Sequence, residues 1–179
     1  MGRVALILAL VSLLVGCGAA PPGRETSPET RRLEADLALA CDAVVRVLGD
    51  RGYDLPHTDR TAGVIESDWL TTNPEYAASI LVTEHQDRYS DCGKPGLGQA
   101  FRGKQTRLKV MLSPSRRGET DLRIDAAFRT QRFSSILGWN RLLGEWPCRS
   151  RGRLEEELTL QMKLWILGEQ LERIRRGTP

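Results

Sequence analysis

The chain has 179 residues, with 26 Lys and Arg against 23 Asp and Glu, for a net charge of +3 at pH 7. So mild a balance, with acids spread among the bases, argues against a nucleic-acid-binding surface, and the length suits one domain with a sizeable core better than two.

Residues 1–16 carry one positive charge, Arg3, ahead of an apolar run from Val4 to Val15 that only Ser12 interrupts. About twelve residues rise roughly 18 Å as a helix, short of the ~30 Å hydrocarbon core, so the segment reads as a secretory signal peptide and not as an anchor. Leu14, Val15, Gly16 and Cys17 then resemble the lipobox of bacterial lipoproteins, in which the cysteine thiol accepts diacylglycerol and the chain is cut before it. That resemblance implies lipidation of Cys17, with the membrane as a partner and the working part in the cell envelope. Gly18 stands where an Asp would favour inner-membrane retention, which implies an outer-membrane protein facing the periplasm. Residues 18–29 (GAAPPGRETSPE) are small, Pro-rich and polar, and read as a flexible tether. The expected organisation is a signal peptide at 1–16, a lipidated cysteine and tether at 17–29, and a single α+β periplasmic domain at 30–179.

Ser27-Pro28 can open a helix as N-cap and first helical residue, and Leu33, Leu37, Cys41, Val44 and Leu48 recur as one buried stripe that ends at Gly49 and Gly52. Residues 62–70, with Val64, Ile65 and Trp69, read as a strand, and residues 79–89, with Ile80, Leu81 and Val82, as a second. A Gly-rich connector follows. In the third strand Leu108, Val110 and Leu112 alternate with Arg107, Lys109 and Met111; in the fourth Leu122, Ile124, Ala126 and Phe128 alternate with Arg123, Asp125, Ala127 and Arg129. Period two with a polar opposite face gives one covered side, and SPSRRGET between the two strands makes them an antiparallel hairpin. A long helix covers 153–175, with Leu160, Leu164, Leu167, Leu171 and Ile174 as its main stripe, widened by Leu154, Leu158 and Trp165. The fold class expected is α+β: an amphipathic helix, a four-stranded mainly antiparallel sheet, and the long C-terminal helix packed on one face.

With Cys17 given to lipid, three cysteines remain for an oxidising compartment. Cys41 falls on the apolar helical face, where a free cysteine behaves as a small hydrophobe. Cys92 and Cys148 sit in polar, Gly- or Pro-containing stretches, and a Cys92–Cys148 bridge is the pairing favoured, although sequence alone leaves connectivity open.

No residue set stands out for chemistry. Gly98, Gly103 and Lys104 nearly match a phosphate-binding loop, but Gln105 replaces the magnesium-holding hydroxyl and a strand follows in place of a helix, so no nucleotide site is expected. His57 and His85 lack ligand partners at local spacing, no metal or other cofactor is expected, and no serine sits in a G-x-S-x-G elbow.

The segments VLGDRGYDL, DRTAGVIESDWL and CRSRGRLEEEL, in an order of helix, strands and helix, resemble small envelope lipoproteins with an α-β4-α layout. They are distantly similar to the domains of the outer-membrane β-barrel assembly lipoprotein C, over residues 30–175. The resemblance implies a non-enzymatic scaffold or accessory assembly factor that binds another envelope protein. The competing expectation is a carrier or sensor of a small hydrophobic ligand held between helices and sheet. A partner-binding segment is sought in residues 133–147, where Phe133, Ile136, Leu137, Trp139 and Trp146 lie without a long regular period. Either these side chains close over the end of the core, or Trp139 and its surroundings stay exposed for docking.

Overall fold

The structure, a computed structural model, describes residues 29–79, 83–84, 87–134 and 141–177. Its spine is one long antiparallel hairpin, β7 (Gln99–Pro114) and β8 (Thr120–Ser134), closed by a single 3-10 turn at Arg116–Gly118. The alternation seen at 107–112 and 122–129 therefore continues well beyond those limits. Strands of this length reach about 50 Å, enough for each outer edge to take two partners in succession.

At the turn end, β3 (Val64–Glu66) pairs with β7 and β2 (His57–Asp59) with β3, while β1 (Thr30–Leu33) pairs with the start of β8. At the far end, β4 (Leu70–Ser79) and then β5 (Thr83–Glu84) extend the β7 edge, and β9 (Arg141–Ser150) extends β8. These eight strands form one antiparallel sheet among the described residues, and the two-residue β6 (Ser90–Asp91) pairs with the last residues of β9. The four-stranded sheet expected from the sequence is thus overturned: the described residues are mostly strand, with two α-helices among them.

Three sequence assignments change with it. The first helix, α1, runs Leu37–Asp50 and not from residue 28, because the Asp36 side chain accepts the Leu39 N–H at 2.8 Å and fixes the start there. The residues before it become β1, whose Leu33 is fully buried against the sheet. The expected strand at 62–70 splits at Ser67, whose N–H donates to the Leu108 carbonyl while its Oγ accepts the Leu108 N–H, both at 2.9 Å. From Gln99 onward the segment taken as a Gly-rich connector is strand, in β7, and so are the described residues Arg141–Ser150 of the segment taken as an irregular apolar stretch, in β9. Gly63 is held at φ +68°, and a Cβ there would lie 2.2 Å from the Leu112 carbonyl oxygen, so only glycine fits.

The helix α2 (Arg153–Arg175) covers the expected residues, but with the opposite face inward. Leu154, Leu158, Met162 and Ile166 are buried with α1 and with Ile65, Leu108, Val110, Leu122 and Ile124 of the sheet, forming the main core. Leu160, Leu164, Leu167, Leu171 and Ile174 point outward. No helix among the described residues is long and apolar enough to cross a membrane.

Candidate functional site

Among the described residues, helices cover the turn end of the inner sheet face alone. At the far end, Tyr76, Ala78, Phe101 and Trp146 form a smaller core beneath Cys92. The backbone strap that carries Tyr89, Ser90 and Cys92 does there what a helix does elsewhere. It is fastened by the Cys92–Cys148 disulfide, by the Trp146 indole N–H donating to the Cys92 carbonyl at 3.0 Å, and by the short β6–β9 pairing. Phe101 and Trp146 lie with ring centroids 5.6 Å apart.

Under the strap sits Lys104, whose side chain is 1% exposed. A bulge at Gly103, φ +62°, shifts the β7–β8 register, so Phe101 and Lys104 both face inward. The Lys104 ammonium meets Asp87 at 3.1 Å, donates to Ser90 Oγ at 3.0 Å and lies 4.1 Å from the centre of the Tyr76 ring. Burial pushes the lysine below its ordinary range, and the Asp87 carboxylate opposes that shift. A lysine beside a serine hydroxyl is an arrangement that nucleophilic enzymes use. Here Ser90 is buried and its hydroxyl donates to Asp87 at 3.1 Å, so the cluster acts as a clamp on the strap. The strap reaches the start of α2 through Tyr89, whose hydroxyl donates to Glu157 at 2.7 Å. Burial raises the Glu157 carboxyl, yet the Tyr89 hydroxyl with Arg88 and Arg51 more than offsets it, and the net shift is downward.

The outer sheet face is polar. Trp69 lies between the Arg107 and Arg129 guanidinium groups, 5.2 and 3.9 Å from its ring centre, and Arg129 also reaches Glu145 at 2.6 Å. Beside it a cavity of about 270 Å³ is lined by Thr71, Pro74, Arg102, Gln131 and Phe133. The third feature is the α2 stripe, five large aliphatic side chains between 52% and 75% exposed.

Of the residues expected to matter, Cys92 and Cys148 are joined, and Cys41 is a buried free thiol whose pKa is raised by burial, with Arg60 lowering it and Asp42 adding to the rise. Trp146, in the segment read either as a cover for the core or as a partner-binding stretch, is buried in the smaller core, because β9 turns it inward opposite Thr130. Phe133 is half-buried, with the Arg102 guanidinium 5.3 Å from its ring centre. Cys17, His85, Ile136, Leu137 and Trp139 lie outside the described residues, and His57 is exposed on β2. Among the described residues no group of His, Cys, Asp and Glu is arranged to hold a metal ion. The sequence marked Lys104 only within a near-miss phosphate loop and did not mark Asp87, and the main α2 stripe faces outward while its flanking Leu154 and Leu158 are buried; the Gly103-Lys104 step within an apolar alternation was the available signal for the first.

No protein-family model matches this chain, and no curated protein matches it.

Proposed function

We propose that this is a lipid-anchored protein of the bacterial envelope, held by Cys17 at the outer membrane and facing the periplasm, and that it works as a non-enzymatic scaffold or accessory assembly factor through protein contacts. The observation that carries the reading is the outward face of α2. Among the described residues α2 leaves five large aliphatic side chains in one row on the surface, and contiguous apolar surface of that kind marks an interaction site. The lipobox-like residues Leu14 to Cys17 support the anchor, and the Cys92–Cys148 disulfide suits an oxidising compartment.

The anchor is tested by mass. Cys17→Ser should lose the acyl modification and leave an unprocessed or soluble species; membrane-derived wild-type protein with an unmodified Cys17 overturns it. The contact face is tested by co-purification from solubilised membranes, where Leu164→Glu should release proteins that the wild type retains. An unchanged set of co-purifying proteins counts against the scaffold reading. The competing role as a small-ligand carrier draws on the cavity of about 270 Å³, which lies on the outer face beside Arg102 and not between helices and sheet. Lipid extracted in stoichiometric amount from the purified protein would favour that role.

A further inference from the structure

We infer that the Cys92–Cys148 bond is a redox latch: closed, it holds the strap down over the smaller core, and reduced, it lets the strap lift and release the first turns of α2. This control is independent of what α2 contacts.

The register places the bond. The Arg151 N–H donates to the Tyr89 carbonyl at 2.8 Å, which makes Tyr89 and Arg151 a hydrogen-bonded pair, and Ser90 and Asp91 pair with Ser150 and Arg149. Hydrogen-bonded and non-hydrogen-bonded pairs alternate along an antiparallel ladder. Cys92 and Cys148 therefore come next as a non-hydrogen-bonded pair, directly opposed, with Cα atoms 4.0 Å apart. The disulfide stands where a rung would, at the end of a two-residue strand.

The buried charges show what the latch works against. The closed strap keeps Lys104 and Asp87 out of water, and burial pushes the lysine below its ordinary range although Asp87 opposes the shift. Lifting the strap rehydrates both charges. It also frees the start of α2, where Glu157 accepts from the Tyr89 hydroxyl and pairs with Arg88 at 3.0 Å, and where Arg151, just before the helix, reaches Asp91 at 4.0 Å. Opening thus uncovers Tyr76, Phe101 and Trp146 and unties one end of the helix together.

The chemistry is thiol–disulfide exchange with a dithiol reductant. Cys92 is 2% exposed and Cys148 half-buried, so the reductant's thiolate attacks the Cys148 sulfur. The bond to Cys92 breaks, a mixed disulfide forms on Cys148, and Cys92 leaves as a thiolate that takes a proton. The reductant's second thiolate then displaces Cys148, which is protonated in turn. Two electrons and two protons pass to the protein, and the dithiol becomes a disulfide.

The test is hydrogen exchange on the full-length protein in buffers of reduced and oxidised dithiothreitol, with thiols counted by mass after maleimide labelling. Reduction should free Cys92 and Cys148 together without denaturant, leave Cys41 unlabelled, and speed exchange at residues 87–92 and 153–157 by about tenfold or more; oxidised dithiothreitol should reverse it. In Lys104→Met/Asp87→Asn no charge is buried, so the reduced strap should stay protected. A bond that dithiothreitol opens only in denaturant, a reduced strap as protected as the oxidised one, or labelling of Cys41 on reduction overturns the latch. Faster exchange in the strap with none at residues 153–157 overturns its coupling to α2. A double variant that opens as readily as wild type overturns the part given to the buried charges.

Discussion

Asp87→Asn is expected to lower the unfolding free energy by about 3–5 kcal/mol, because it leaves a charged lysine unpaired in a site closed to water. Lys104 is 1% exposed and Asp87 8%, so solvent cannot replace the lost carboxylate without the strap opening. The reverse removal is milder. In Lys104→Met, Asp87 still accepts the Tyr89 N–H at 2.9 Å and the Ser90 hydroxyl at 3.1 Å, whereas the lysine in Asp87→Asn keeps only neutral acceptors and the Tyr76 ring. The double variant Lys104→Met/Asp87→Asn should melt close to wild type, since an apolar side chain of similar length replaces the buried charge. Urea denaturation also reads the sign of the linkage. Burial holds the folded-state pKa of Lys104 below its unfolded value of about 10.4, and losing Asp87 lowers it further. Between those two pKa values the unfolded chain binds more protons, so the stability of Asp87→Asn should recover as pH rises through that window. A single variant as stable as wild type, or a double variant no better than the single, would show that the pair does not hold the strap.

This cluster also marks how far the sequence could be read. Period-two alternation exposes the β7–β8 hairpin because each residue faces either core or water, and the bounds of α2 follow from Gly152 before it and the arginines at its end. The inner face of α2 was legible only in part, as Leu154 and Leu158 flanking the outer stripe. The leucines at four- and three-residue steps are the more regular set, while Leu154, Leu158, Met162 and Ile166 drift around the helix at steps of four, and only the sheet beneath decides which set is covered.

Strands β4 and β9 were obscured for another reason. Proline and glycine weaken a strand pattern, yet the sheet takes up Pro74, Gly144 and Pro147 with register shifts between Thr71 and Ala77 and between Arg132 and Phe133. At β1 the four-residue step from Leu33 to Leu37 imitates a helix, and pairing with the edge of β8 overrides it. Lys104 was hidden by the one-residue bulge at Gly103, which exchanges inward and outward positions along β7. In each case a tertiary contact decided what local pattern could not.

The largest covalent effect is expected from the staple. Cys92→Ala/Cys148→Ala should cost at most about 4 kcal/mol in the chain-entropy account, for a closed loop with a sequence separation of 56 residues. In a domain of this size that loss corresponds to a melting temperature lower by roughly 10 °C. Most of the effect belongs to the unfolded chain, but the folded state feels it locally. Among the described residues no helix lies above the smaller core, so once the disulfide is gone the strap rests on the Lys104–Asp87 pair, the Trp146–Cys92 hydrogen bond, the Tyr89 hydroxyl on Glu157, the Arg151 N–H donating to the Tyr89 carbonyl, and two residues of β6. Hydrogen exchange should therefore rise first at residues 87–93 and along β9, while α1 and the turn end of the β7–β8 hairpin keep their protection. Cys41 supplies the internal control: buried in the main core with a raised pKa, it should resist alkylation in the variant under native conditions and react only on global unfolding. An unchanged melting temperature would show that the disulfide contributes nothing to stability. Rapid Cys41 alkylation at low temperature would show that the two cores do not separate in the way the structure divides them.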